Sequence, residues 1–397
     1  MQRKILAVSL LLVLALVSAG CSQSATPTPL PTPLPPASPT VAAAITPFPP
    51  TATATQPAPT ATLSVASPTP APPTLAPTPA AQPGVDVTAA GTPFPMTYLP
   101  ITPVNASQMT LLARWEVGAL ADVAWSPAWQ WLAGATPQGV VLYDGRSGAL
   151  QAVLASDAAA RRVVFSAHGA QVAAVVRNGT AVIWQTDGSR PPLVLTDPRG
   201  AIRDVAFSPD GTLLATAAAG ALRVRRTDTG DVLWALDRID GDVLSVDFSP
   251  DGQFVAAGLK YGGVWVFNAG DGAPVWQEAA HAAPVTRVAF SPNSILLASA
   301  SRGELRVWRV LHGDVLWALD RIDGDVLAVD FSNDVETLAA GLDNGEVWLV
   351  RVRTGEPVWQ TQAHTAAVTG VAFSPNSTML ASASADGTVQ IWGVVEK

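Results

Sequence analysis

The chain has 397 residues, a formal net charge of −8 and a sequence pI near 5.0. That balance excludes a general nucleic-acid binder, which needs clustered Lys and Arg; the only basic runs are Arg3-Lys4, Arg161-Arg162 and Arg225-Arg226. One cysteine, Cys21, excludes an intramolecular disulfide.

The N-terminus has the parts of a secretory signal. Arg3 and Lys4 form a charged start, residues 5–17 are apolar except for Ser9, and Ser18-Ala19-Gly20 are small residues before Cys21. The apolar run is short for a bilayer-spanning helix, which needs roughly 20 residues. The small-small-Cys ending resembles the lipobox of bacterial lipoproteins, although Ser18 stands where Leu is commonest. The resemblance implies that residues 1–20 are a lipoprotein signal peptide and that Cys21 carries the lipid. It also implies an exported protein, anchored on the extracytoplasmic side of a bacterial membrane through acyl chains.

Residues 21–97 are expected to be a disordered Pro/Thr/Ala-rich stalk. Between Ser22 and Pro95 there are 21 prolines, and Asp86 is the only charged residue. Proline fixes φ and removes a backbone donor, so helix and sheet are both disfavoured and an extended, polyproline-like spacer is expected. A Pro-rich ligand segment and an O-glycosylated stalk are alternative readings of the same composition.

All 13 tryptophans fall between Trp115 and Trp392. An aromatic followed by Ser recurs at Trp125, Phe165, Phe207, Phe248, Phe290, Phe331 and Phe373, at spacings of 40 to 42 residues. Some 18 or 19 residues after each comes a second marker: Tyr143, Trp184, Arg225, Phe267, Trp308, Val350 and Trp392. Within a unit, alternating runs such as VTGVAF are separated by turn chemistry such as Pro-Asp-Gly, giving four short strands. Four strands repeated seven times predict an all-β, seven-bladed β-propeller of four-stranded antiparallel blades over residues 98–397. A strand at residues 110–115 is predicted to pair with the last blade, which ends after its third strand.

These repeats resemble the WD-repeat β-propeller family. The resemblance implies a structural tetrad in the last unit, His364, Ser384, Asp386 and Trp392, and a partial one in the fifth, His281, Ser301 and Trp308. In the other units, where Ile239 and Ile322 stand in the His position, apolar packing is expected instead. Residues 232–244, VLWALDRIDGDVL, recur unchanged at 315–327. That is a two-blade offset, as a repeat protein growing by duplication would show.

No catalytic constellation is legible. His168, His281, His312 and His364 have no metal-ligand spacing, and there is no nucleophile elbow or phosphate loop. No catalytic residue, metal or cofactor is therefore expected. The duplicated loops put Asp240, Asp242, Asp323 and Asp325 on the face that such propellers use for partners. These carboxylates could meet a basic partner, bind Ca²⁺ loosely, or be solvated turn residues. The expected function is a non-enzymatic protein-interaction scaffold, monomeric as a propeller and held to its membrane by the N-terminal lipid. Small-molecule or glycan binding in the central channel is the alternative, and an extracytoplasmic hydrolase a third reading. Channel-facing aromatics would mark the second, and a buried carboxylate or His with a displaced pKa at the channel would mark the third.

Overall fold

The computed structural model describes residues 98–155 and 158–395. The signal-like segment, Cys21 and the proline-rich stretch lie outside the described residues. Within them the chain is antiparallel strand throughout, apart from turns and one 3-10 segment at Ala106–Gln108. Units are numbered by their aromatic–Ser markers, from unit 1 at Trp125 to unit 7 at Phe373.

Unit 4 illustrates the local logic. Val243–Phe248, Phe254–Leu259, Gly263–Asn268 and Pro274–Ala279 pair in sequence, each antiparallel to the next. Val246 and Phe248 point alternately with Asp247, so the apolar pair enters the core. The marker serine closes the first turn, its hydroxyl accepting the backbone N–H five residues on. This bond recurs in all seven units, from Ser126–Trp131 to Ser374–Met379, at 2.8–3.0 Å. The position four after the aromatic is left-handed in every unit. Gly169, Gly211 and Gly252 accept that conformation readily, whereas Trp129, Ser294, Val335 and Ser377 adopt it with a side chain. Ser294 and Ser377 use their hydroxyls to accept the N–H of Asp251 and Asn333 in the preceding units.

The strands form six sheets, not the seven separate four-stranded blades expected from the repeat count. Four are four-stranded, one holds five strands and one holds six. The six-stranded sheet arises because Asp314–Phe331 runs without a break from the outer edge of unit 5 into the inner position of unit 6. Arg302 pairs with Asp325 across the intervening loop and fuses the two units. The long strand bends sharply on the way, with Arg321 at φ 68° and Gly324 at φ 129°. The inner segments touch in order: Asp122–Trp125, Ala160–Phe165, Ile202–Phe207, Val243–Phe248, Arg287–Phe290, residues 326–331 and Val368–Phe373, which returns to Asp122–Trp125. Hydrophobic clusters lie between successive units; one joins Val246 and Phe267 of unit 4 to Leu222 and Val224 of unit 3.

The ring closes by sharing strands from both ends. Thr110–Glu116 pairs with Thr388–Val395, from Thr110 opposite Gly393 to Glu116 opposite Thr388. A second, shorter strand, Tyr98–Leu99, pairs with Val395 and Val394 of the same partner. Sequence reasoning found the first and missed the second, which is too short to show a period. Outer-strand tryptophans tie neighbours together: the indole N–H of Trp234, Trp276 and Trp317 donates to the carbonyls of Ala269, Val310 and Val352 in the following units, at 2.6–2.7 Å.

Candidate functional site at the channel

Each inner strand has a sheet neighbour on one side only. Its other edge presents backbone N–H groups that must find acceptors. Side chains from the preceding unit supply them. Three residues before the marker aromatic, Asp122 accepts from Val163 N at 3.1 Å and Asp204 from Val246 N at 2.9 Å. Ser245 donates its hydroxyl to Asp204 at 2.9 Å and accepts from Val288 N at 3.0 Å. One residue before the aromatic, Asp247 accepts from Phe290 N at 2.8 Å and Asp330 from Phe373 N at 2.7 Å.

Two arginines join this belt. Arg162 lies between Asp122 at 2.8 Å and Asp204 at 2.7 Å. Burial works against its charge, but Asp122 and Asp204 outweigh burial and hold its proton more tightly than usual. Arg287 is served worse. Among the described residues its one ion pair is with Asp122 at 3.4 Å, and burial together with the like charge of Arg162 lowers its pKa. The carboxylates one residue before the aromatics are displaced the other way. Burial pushes Asp247 up to about 6 and Asp330 up to about 7, against the backbone N–H groups that favour their ionised forms.

The histidine sites lie apart from the belt, inside units 5 and 7. In unit 7, Ser382 joins His364 Nε2 at 2.8 Å to Trp392 Nε1 at 3.0 Å. The serine expected there, Ser384, instead donates to Ala366 O and accepts from Asp386 N. His364 Nδ1 faces Asp386 at 3.2 Å and Thr388 at 3.0 Å. In unit 5 the same correction holds. Ser299, not Ser301, joins His281 at 2.7 Å to Trp308 at 2.8 Å, while Ser301 donates to Pro284 O. Glu304 at 2.8 Å meets His281 Nδ1 where the turn lacks an Asp. The donors run from Trp308 N–H to Ser299, from Ser299 O–H to His281 Nε2, and from His281 Nδ1–H to Glu304. Burial lowers the pKa of both histidines, keeping the rings neutral despite their carboxylate partners.

Three of the degenerate units show two different replacements for the polar set. Ile239 packs in one cluster with Ala257 and Phe267, and Ile322 in another with Ala340 and Val350, so units 4 and 6 replace the polar set by an apolar one. Unit 3 departs from the expected apolar packing. Arg225 stands in the Trp position and bonds Thr216 at 3.4 Å, while buried Asp197 pairs with Arg223 at 3.0 Å and Arg225 at 3.3 Å.

The acidic loops are only partly free. Asp242 pairs with Arg203 at 2.7 Å and Asp325 with Arg302 at 3.1 Å, whereas Asp240 and Asp323 are exposed. His168 and His312 are exposed on turns. Among the described residues no group of three or more His, Cys, Asp or Glu side chains is placed to hold a metal, and no helix is long and apolar enough to cross a membrane. The channel belt was missed at the sequence level, although aligning the seven markers exposes it. Three residues upstream the column reads Asp, Arg, Asp, Ser, Arg, Ala, Gly.

The model of the "WD domain, G-beta repeat" family matches residues 189–224, 234–268, 272–309 and 355–393. Meiotic recombination protein rec14 of Schizosaccharomyces pombe is 33% identical over 110 residues, 27% of this chain and 36% of that protein. The Periodic tryptophan protein 2 homolog of Dictyostelium discoideum is 33% identical over 159 residues, 38% of this chain and 17% of that protein. The alignments thus span little more than a third of the first relative and less of the second. A solved chain from the "Crystal Structure of Mitotic Checkpoint Complex" superposes with a TM-score of 0.65 at 19% identity, covering 72% of this chain and 96% of that one; at this identity the likeness shows the fold. With its repeated marker serines, its closed circuit of inner strands and these matches, the described part of the chain is a β-propeller that carries WD repeats at four matched positions.

Proposed function

We propose that this propeller is an exported, lipid-anchored platform that binds a protein partner through the loops at residues 237–242 and 320–325. WD-repeat propellers serve in general as interaction scaffolds, and the solved chain that resembles this one comes from a multiprotein complex. One observation carries the choice of face. Both loops hold an exposed arginine, Arg238 and Arg321, in the left-handed region at φ 67° and 68°, beside exposed Asp240 and Asp323. A side chain held in that region costs about 1–3 kcal/mol and persists only where its surroundings impose it. Two such loops, two units apart, present the same Arg–Asp pair with the arginine in the same left-handed conformation. The anchor rests on the signal-like segment and Cys21, and the long proline-rich stretch would serve as its spacer.

A hydrolase reading has one observation in its favour, the raised pKa values of Asp247 and Asp330. Their oxygens are engaged by backbone N–H groups of the next unit, and the neighbouring Ser245 hydroxyl is committed to Asp204. Edge capping accounts for these groups without chemistry. The face is tested by crosslinking the full chain at the surface of its own cells, beside a variant with Asp240→Lys and Asp323→Lys. A protein crosslinked to the first and lost from the second supports the platform; an unchanged set of crosslinks refutes this face. The anchor is tested by labelling with an alkyne fatty acid, which Cys21→Ser should abolish.

A further inference from the structure

We propose that the loop-side mouth of the channel binds an oxyanionic group, a carboxylate or a phosphate. The mouth is a cavity of about 280 Å³ whose lining includes Arg161, Arg162, Arg203 and Arg287, with Asp204 as its single acidic residue. These arginines come from units 2, 3 and 5, three or four residues before the marker aromatics, so the ring converges them on one opening. Their counter-charges are unequal. Arg162 is held by two carboxylates and Arg203 by Asp242 at 2.7 Å. Arg287, only 11% exposed in its side chain, has one contact at 3.4 Å with a carboxylate that Arg162 holds more closely. Among the described residues no ion pair engages Arg161, which is exposed at the rim.

Four guanidinium groups line the mouth against one lining carboxylate. Asp122 and Asp242 pair with them from outside the lining, and Asp247 also acts on Arg162 and Arg287. The positive character therefore belongs to the lining itself, within a chain of net charge −8. A guanidinium offers five N–H donors in a planar fork that matches a carboxylate or phosphate edge to edge. An oxyanion reached by Arg287 and Arg161 would complete the coordination that Asp122 leaves unfinished. The burial and like-charge repulsion that lower the pKa of Arg287 are relieved by the same anion. The cavity suits a group the size of phosphate or citrate better than a glycan, and its charged lining offers no aromatic platform. The site does not depend on the partner reading, because its oxyanion can come from a free small molecule or from an acidic side chain of a docked protein.

The test is calorimetric titration of the full chain with inorganic phosphate, with citrate and with a hexaglutamate peptide, at constant ionic strength. Saturable binding of at least one probe is expected, with a Kd below about 1 mM. Arg161→Ala and Arg287→Met should each weaken it at least about tenfold, while Arg302→Ala, an exposed arginine away from the mouth, should not. Arg161 is at the rim, so its variant decides the matter even if Arg287→Met fails to fold. Binding of the small anions identifies a free ligand, and binding of the peptide alone identifies a protein carboxylate; either supports the site. No saturable binding of any probe up to about 10 mM, or binding that Arg161→Ala leaves unchanged, overturns the proposal.

Discussion

Units 3 and 4 and units 5 and 6 are related by an offset of 83 residues, and within them residues 232–244 and 315–327 are identical. The identical stretch is nevertheless paired differently. In the first pair it is two strands, Val232–Asp237 and Val243–Phe248, separated by a loop. In the second it lies inside the single strand Asp314–Phe331. The left-handed arginine is the same in both, so the difference comes from neighbours. Arg302 stands where unit 3 has Ala219, and its side chain draws Asp325 into the ladder; Asp242 is held instead by Arg203, whose equivalent in unit 5 is Thr286. The polar set of the two pairs also differs. Thr216 and Arg225 in unit 3 stand where unit 5 has Ser299 and Trp308, and Asp197, one residue before the counterpart of His281, supplies the acidic partner. The repeat thus tolerates an ionic or an aromatic solution at one place, because in each set the central serine or aspartate gives the facing groups their partners.

The sharpest way to break this equivalence is to remove the central partner of each set. Asp197→Ala leaves Arg225 without its carboxylate and Arg223 with only Asp237, on side chains 8% and 6% exposed. Uncompensated buried charge should cost about 3–5 kcal/mol in urea unfolding. Ser299→Ala removes neutral hydrogen bonds from His281 and Trp308, and should cost about 1–3 kcal/mol. Equal losses for the two variants would mean that the ionic set is solvated and does not replace the aromatic one.

A second contrast concerns the left-handed turn, which is Gly252 in unit 4 and Val335 in unit 6, at φ 73° and 60°. A β-branched residue is poorly suited to that region, and a Cβ on Gly252 would lie 3.2 Å from Pro209 Cγ. Gly252→Val should lower stability by about 1–2 kcal/mol, and Val335→Gly should raise it by a smaller amount because Val335 also packs on the core. Thermal unfolding reads both. A stabilising Gly252→Val would show that the turn is not strained.

The channel carboxylates Asp247 and Asp330 occupy matching positions in the two pairs, and their pKa values, about 6 and about 7, set a pH dependence. A carboxyl whose folded pKa is raised binds protons more tightly folded than unfolded, so stability falls as pH rises through that value. His281 and His364, neutral when folded, act in the opposite sense, and about half of the unfolded-state histidine titration still lies above pH 6.5. Between about pH 6.5 and 8 the two carboxyls together remove about 1 kcal/mol, which the histidines offset in part. The carboxyl effect is therefore read as a difference: Asp330→Asn should raise the slope relative to the wild type more than Asp247→Asn does. Wild-type and Asp330→Asn profiles of equal slope over this range would show that Asp330 is ionised throughout.

The fold was legible because each repeat carries its own turn chemistry: the marker serine closes a turn seven times at one spacing, and the closing strand at Thr110–Glu116 follows from an incomplete last unit. The histidine sites were legible to within one strand step. Ser382 and Ser384 share a face by alternation, and only the register that sets Leu380 opposite Trp392 selects Ser382. The ionic set was not legible because Asp197 lies 28 residues before Arg225, and both ends of the pattern changed together. The number of separate sheets was not legible either, since it turns on whether one loop is bridged.

That bridge gives the smallest and most specific test of the comparison. Arg302 is 78% exposed in its side chain and its pair with Asp325 is in water, so Arg302→Ala should change stability by less than about 0.5 kcal/mol. Its effect should appear locally. Without the guanidinium, residues 320–325 keep the left-handed Arg321 but lose the side-chain contact that brings Asp325 to the ladder. Amide exchange there should rise towards that of the identical residues 237–242, where Ala219 offers no such contact. The carboxylate of Asp343, which accepts from Asp325 N at 2.8 Å, has no counterpart at Lys260 and will retain part of the protection. Exchange in 320–325 that is unchanged by Arg302→Ala, and rises only when Asp343→Ala is added, would assign the fusion of the two units to Asp343.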